Sequence, residues 1–370
     1  MKATLIGCPE IIMDNPMSLH NYFAWPSIAR LKNGRIAVGA SGYRLRHVCP
    51  FGKTVISFSE DEGKTYTRPA PVIDTPLDDR DAGLCSFGES GLIVTSFNNT
   101  VAFQRSLDYV ENYSLVYLDK VSPELEAKYL GTTFRVSFDN GVTFGPLYKS
   151  PVTSPHGPTE LRDGTILWVG RSDEAKREER DGILAYTLDP HTGKMEFRGA
   201  VEPICVDGEE LLSCEPHAIE LPDGRILCHI RVQKSKCYFT TYQTESSDGG
   251  RTWSKPRALL SPKGGAPAHL LLLENGLLLS VYGYRQAPCG IRYMVSTDLG
   301  QTWSTDHILY EDKGEYSIGP GRTEDKGSRK DIGYPATVQC ADGSLITVFY
   351  AHPTPEEPSL IFQQRWTLEP

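Results

Sequence analysis

Groups able to move protons or grip an anion recur in this chain at set distances from glycine turns. Glu215 lies nine residues before Gly224, and Tyr334 nine before Gly343. Arg231 follows Gly224 by seven residues. His156, His217 and His269 stand eight, seven and seven residues before Gly164, Gly224 and Gly276. Carboxylates and imidazoles exchange protons, and a guanidinium fork binds a carboxylate through two parallel hydrogen bonds. Three imidazoles meeting at one point would suit zinc or another transition metal. A hydrogen-bonded or solvated histidine set is the expectation here, with no metal and no cofactor.

Hairpins must place these groups. In the stretch Glu215–Arg231 a first apolar run, 218–221, meets Asp223-Gly224, and a second run, 226–230, follows. Asp-Gly between two such runs predicts a β-hairpin, because the turn needs positive φ. Its open ends bring Glu215, His217 and Arg231 to one rim. Six such hairpins occur, with turn glycines at Gly34, Gly91, Gly164, Gly224, Gly276 and Gly343, spaced 52 to 73 residues apart. A second repeat, S-x-D-x-G-x-T-aromatic, is interleaved with them. It begins at Ser59, Ser137, Ser246 and Ser296, with a degenerate copy from Thr187 to Gly193. Its Ser and Asp side chains suit a tight turn that bonds backbone amides, and the aromatic is expected to anchor that turn. A calcium loop would need more carboxylates and a terminal Glu.

Hairpin followed by turn motif, repeated, predicts an all-β fold: a six-bladed β-propeller forming a single domain over 1–370. No turn motif follows the sixth hairpin. The N-terminal segment, Ala3 to Ile12, is therefore expected to supply the last outer strand and close the ring beside Leu360 to Trp366. Helix should be confined to short turns at Pro123 to Tyr129 and Ser172 to Arg180. One face of the ring then collects the starts of first strands and the ends of second strands. Gathered there are Asp79, Arg80 and Asp81 entering blade 2, Arg44, Arg46 and His47 leaving blade 1, and Tyr284 and Arg285 leaving blade 5.

Composition narrows the partners. With 39% hydrophobic and 23% charged residues the chain reads as an ordinary globular protein, and its net charge of −9 argues against a nucleic-acid surface. No apolar run is long enough to span a membrane. Pro9 and Glu10 interrupt the N-terminus too early for a signal-peptide core, which gives a cytoplasmic expectation. Nine scattered cysteines without a C-x-x-C pair predict buried free thiols. Nothing in the sequence specifies the oligomeric state.

Taken together, these residues resemble the sialidase (neuraminidase) superfamily of glycoside hydrolases, over nearly the whole chain. That resemblance implies a six-bladed propeller with Asp boxes, a Tyr nucleophile paired with a Glu, an Asp acid/base and three carboxylate-binding arginines. Glu215, Glu220-Leu221-Pro222-Asp223-Gly224 and Arg231 match one blade of the family pattern. Tyr334 in Gly333-Tyr334-Pro335 matches another. They imply Tyr334 as nucleophile, Glu215 as its partner, and Arg231 and Arg285 as two of the arginines. Two positions depart: Ala24 stands where the first arginine belongs, and no carboxylate occupies the region of the acid/base Asp. His47, Asp79 or Asp81 could serve as acid/base instead, Arg44 or Arg46 could replace the lost arginine, and Arg80 could pair with an Asp across blades.

The implied reaction suits these types. A neutral Tyr hydroxyl can approach an anomeric carbon that bears a carboxylate without like-charge repulsion, provided a base takes its proton. The implied activity is exo-acting removal of a terminal acidic sugar, sialic or a related ulosonic acid, from a glycan or small glycoside. Two alternatives stand beside it: a sialidase-fold enzyme with His-based chemistry on another sugar, and a glycan-binding propeller without catalysis.

Overall fold

In the computed structural model, which describes residues 1–108, 110–173, 180–234, 238–312, 331–354 and 357–369, the chain winds through six antiparallel blades, with a two-stranded ribbon, Cys205–Val206 and Glu209–Glu210, between blades 3 and 4. The hairpins predicted from their turns form the inner strands. Blade 1 runs Tyr22–Arg30, Ile36–Arg44, Lys53–Ser59, Ala70–Ile73, and blade 2 runs Leu84–Phe87, Gly91–Ser96, Thr132–Ser137, Tyr148–Ser150. In blade 3 the innermost strand is broken into Val152–Thr153 and Thr159–Glu160, both pairing with Ile166–Ser172. Blade 4 begins with Leu212–Glu220 and Ile226–Lys234, and blade 5 with Ala268–Leu272 and Leu278–Tyr284. Blade 6 is Gly333–Gln339, Leu345–Ala351 and Leu360–Glu369, completed by Lys2–Met13 from the other end of the chain. Around the circle the innermost strands touch one another, except that the first strand of blade 4 meets Ile166–Ser172, the second strand of blade 3.

Apolar residues fill the spaces between blade faces. Leu84, Leu92 and Val94 meet Ala37 and Ile56 between blades 1 and 2. Leu167 and Ala185 meet Ile226 and Cys228 between blades 3 and 4, and Val281 and Ile291 meet Phe349 between blades 5 and 6. Alternation along each strand thus buries both faces, so the ring is held by interlocking side chains and by the one strand pair that crosses the termini.

The turn motifs are wired alike. In the first, Ser59 Oγ accepts from Gly63 N at 2.8 Å and donates to Asp61 Oδ1 at 2.8 Å. Asp61 then accepts from Thr65 N and Oγ1 at 2.9 and 2.7 Å. The aromatic anchors the turn on the preceding blade as well as its own: Tyr66 Oη donates to Gln363 in blade 6, and Trp303 Nε1 to Gln243 in blade 4. The degenerate copy is a shorter turn, in which Gly193 N and Thr192 Oγ1 bond Asp189. Blade 6 needs no such turn, because its outer two strands are not consecutive in the chain.

An insertion between the second and third strands of blade 2 carries helices Val101–Arg105, Asn112–Leu118 and Pro123–Tyr129. Only the third was expected. Its signal is Ser122 at the N-cap followed by Pro123, and Ser122 Oγ accepts from Leu125 N. Most of the other helical expectation, 174–179, lies outside the described residues. No described helix is long and apolar enough to cross a membrane. Eight cysteines are described and all are free, but Cys8 and Cys205 are exposed rather than buried.

Ser296 is buried and closes the fourth motif through Gly300 N at 2.8 Å. Ser296→Ala should lower unfolding stability by about 1–3 kcal/mol, read from the guanidinium midpoint. Hydrogen bonds from the motif threonines, chiefly, hold Asp61, Asp139 and Asp298 down at about 2. A depressed carboxylate stabilises above its unfolded value and loses that contribution as pH falls through the folded one. Acid titration followed by intrinsic fluorescence should therefore show the loss between roughly pH 4 and 2.

Candidate active site

Four inner strands start with the same unusual backbone. Trp25, Asp81, Glu215 and Tyr334 have φ of 53, 51, 51 and 50°. In blades 1, 4 and 6 the ladder skips at this point, between Ala24 and Ser27, Cys214 and His217, and Gly333 and Ala336. The following residues, Pro26, Pro216 and Pro335, have no N–H to give to the ladder. Such a bulge turns its side chain off the strand axis, at about 1–3 kcal/mol of backbone strain per residue. Blades 3 and 5 carry Pro155 and Pro267 at this offset, where the ring forbids positive φ. The dipeptides Trp25-Pro26, Glu215-Pro216 and Tyr334-Pro335, each nine before a turn glycine, were the available signal for three of the four.

Glu215 and Tyr334, 119 positions apart, meet. Tyr334 Oη donates to Glu215 Oε1 at 2.5 Å. Arg231 Nη1 donates to Glu215 Oε2 at 2.6 Å and to Tyr334 Oη at 3.0 Å, and its other face is held by Gln233. Arg285 lies on the far side of the phenol, held by the Ile332 carbonyl at 3.1 Å and the Tyr350 hydroxyl at 3.2 Å. Phe239 lies beneath both guanidiniums, at 4.7 and 5.0 Å. Burial pushes the Tyr334 phenol well above its usual value, and the Glu215 charge adds to this against Arg231. The phenol is therefore neutral, with its proton already on a path to Glu215.

Asp81 enters from blade 2. It is 7% exposed, and its carboxylate accepts no hydrogen bond from any described residue. Burial raises it to about 7, against the pull of Arg80, with the Glu215 charge raising it further. A carboxylic acid that gives up its proton near neutrality has the property a general acid needs.

The neighbouring candidates are placed differently. Asp79 is fully buried and bonded to Thr75 N, Thr75 Oγ1 and Asn98 Nδ2, so it shapes a loop and cannot reach a substrate. Arg44 is also fully buried. Its guanidinium is used up by Ser41, the Asp79 and His47 carbonyls and Asp78, so it does not replace the arginine missing at Ala24, itself a buried methyl. Arg46 pairs with Glu111 of the helical insertion. Arg80 is the arginine that reaches the centre's edge. It spreads over Trp25 at 4.1 Å, donates to the His47 carbonyl at 3.0 Å, and stands 3.5 Å from Asp78.

His47 is a tied residue. Nε2 faces Arg80 Nη2 at 3.4 Å, and Nδ1 faces the Tyr22 hydroxyl at 3.3 Å and Asp331 at 3.7 Å. Both nitrogens therefore point at protein groups. Asp331 accepts from Tyr22 at 2.7 Å and stands 3.6 Å from His352 Nε2. Burial opposes its charge, yet the two imidazoles hold its carboxyl well below the usual range, and Asp331 in turn raises His352. Tyr22, Asp331 and His352 were visible only as rim polar residues. Their junction depends on blade 6 meeting blade 1.

The three histidines do meet, with ring centroids 4.3 to 5.3 Å apart, but one layer below the site. His217 Nδ1 accepts from Leu270 N at 2.9 Å, and His269 Nδ1 from Thr337 N at 3.4 Å. Those bonds use the lone pair on one nitrogen and leave the other as an N–H donor, which opposes metal ligation. No metal-binding group is found among the described residues. His156 is 1% exposed and burial drives it well below its usual value, while His217 and His269 are each 7% exposed. Tyr284 leaves blade 5 beneath Arg292, 4.7 Å away.

The Arg44–Asp78 pair sits in a dry environment beside Arg80. Arg44→Met should cost about 3 kcal/mol in guanidinium unfolding, by stranding Asp78. The double variant Arg44→Met/Asp78→Leu should recover much of that loss.

Residues 88–347 match a family model described as BNR repeat-like domain. A search of curated proteins found no match. Among solved structures, a Dyadobacter fermentans protein of unknown function superposes with TM-score 0.73 at 21% identity, covering 99% of each chain. The intramolecular trans-sialidase from Ruminococcus gnavus, complexed with oseltamivir carboxylate, gives 0.63 at 13% identity over 98% of this chain and 99% of that one. A Penicillium chrysogenum α-L-arabinanase complexed with arabinobiose gives 0.61 at 14% identity over 99% and 98%. With the family model spanning most of its length and six blades laid out as in those structures, the chain belongs to the BNR repeat-like family and folds as a six-bladed propeller.

Proposed function

We propose that this protein is an exo-acting glycoside hydrolase that removes a terminal acidic sugar through Tyr334 and Glu215. The observation that carries the reading is the 2.5 Å hydrogen bond from Tyr334 to Glu215, with Arg231 bonded to both. Tyr334 Oη attacks the anomeric carbon, Glu215 takes the phenol proton, and Asp81 gives its proton to the departing oxygen. Water then attacks the same carbon, losing its proton to Asp81, while Tyr334 leaves and recovers its proton from Glu215. Two displacements at one carbon retain the anomeric configuration.

Arg231 and Arg285 supply the positive field for an anionic sugar, and Arg80 supplies a third charge from blade 2. The departure at Ala24 favours a second reading, an uncharged terminal sugar, because the blade 1 wall is closed by Trp25 and a buried methyl. Aryl glycosides of a sialic acid, a uronic acid and neutral sugars separate the two readings by their relative kcat/KM.

Tyr334→Phe should lower kcat on the best of these substrates by at least ~10³-fold. Equal turnover by the variant would end the nucleophile assignment. Because Asp81 acts in its protonated form and titrates at about 7, kcat/KM should fall tenfold per unit as pH rises beyond that value. Asp81→Asn should abolish this alkaline limb on substrates with good leaving groups. On substrates with poor ones it should remove most of the rate.

A further inference from the structure

A half-open cavity of about 330 Å³ lies between blades 2 and 3, lined by Phe97, Asn99, Thr153 and Arg171 among others. Its position follows from two links. Arg80 and Phe97 pair through their backbones at 2.7 and 3.0 Å, which sets Asp81 beside the cavity's Phe97 wall. From the opposite wall, Arg171 Nη1 reaches the Ser213 carbonyl at 3.4 Å, two residues before Glu215. The cavity therefore adjoins the backbone that leads into Asp81 on one wall and into Glu215 on the other, while its own lining is drawn from blades 2 and 3. On the other side of Asp81, Arg80 lies across Trp25, which is 2% exposed.

Proton donation fixes the direction of the leaving group. Its oxygen must touch Asp81, so its remainder extends where there is room. The walls suit a hydroxylated ring. Phe97 offers a half-buried aromatic face for the C–H side of a sugar, and polar Asn99, Thr153 and Arg171 stand around it, with Asn99 donating to Asp78 at 3.0 Å and Arg171 paired with Asp181 at 2.6 Å. Arg171 Nε is buried without a hydrogen-bond partner among the described residues. The frame is rigid. Asn98 ties Tyr129 O to Gly131 N, and Asp173 holds Thr132 through N and Oγ1 at 2.6 and 2.7 Å.

We infer that this cavity is the leaving-group subsite and holds the penultimate sugar of a glycan chain, a proposal that rests on Asp81 as the proton donor. The test compares two substrates with one glycone. One is a disaccharide and the other a glycosyl fluoride, whose leaving group is too small to enter the cavity. Phe97→Ala should lower kcat/KM for the disaccharide tenfold or more and leave the fluoride within twofold, while Phe97→Trp keeps both. Thr153→Phe, which fills the cavity from the blade 3 side, should give the same split and keeps the test open if Phe97→Ala fails to fold. Parallel losses on both substrates, or no loss on either, would overturn the subsite. If Phe97→Ala splits the substrates but Asp81→Asn leaves disaccharide turnover intact, the subsite stands and the acid assignment falls. A wild-type protein that turns over neither substrate, for any glycone in the panel, removes the hydrolase reading and the subsite with it.

Discussion

Everything at the centre depends on closing the ring. The strand Lys2–Met13 pairs along Leu360–Glu369, and this single ladder joins the two ends of the chain. Blade 6 then presses on blade 1, and Tyr334, Ala336 and Val348 share a core with Tyr22, Trp25 and Val38. Without that contact the six inner strands would have no common axis. Glu215 and Tyr334 would remain 119 residues apart, and Tyr22 would have no Asp331. A closed sheet of sheets also limits exposed strand edges, so the same ladder serves solubility and geometry.

Within the closed ring, strain is concentrated where chemistry is proposed. Trp25, Asp81, Glu215 and Tyr334 adopt left-handed backbone at equivalent places, although none is glycine. The surrounding structure over-determines these conformations: hydrophobic packing between blades and four Ser-Asp turn motifs hold the strands on either side. A regular strand would alternate its side chains between blade faces and could not aim four of them at one point. The bulge converts a packing element into a presenting element, and the prolines that follow it make the broken ladder permanent.

Charge is managed by layering. Near the Tyr334 phenol, Glu215 is balanced by Arg231, with Arg285 beyond, while the Asp81 carboxylate accepts no hydrogen bond from a described residue and is raised toward neutrality by burial. Further out, Asp78 is shared by Arg44 and Arg80 in a buried wall beside Trp25, which leaves a net positive charge there. The histidine stack below is held uncharged by burial, so it adds no competing cation beneath the site.

The repeat made much of this legible from residues alone. Counting back from a turn glycine measures depth along an inner strand, because a hairpin has a fixed rise per residue. That is why Glu215, Arg231 and Tyr334 could be set at one level, and why six blades, four turn motifs and N-terminal closure followed from spacing. The same count put three histidines together, but depth along the axis does not say which layer solvent reaches. Loops have no such ruler. Asp79 and Asp81 are two positions apart, yet one caps a loop through Thr75 and Asn98 while the other enters the centre, a difference set by where blade 2 packs on its neighbours. The linkage of His47 to Asp331, the burial of Arg44 and the cavity beside Phe97 belong to contacts between blades. Local periodicity and turn chemistry determined the elements and their register; only the closed ring decided which charges were buried and which were paired.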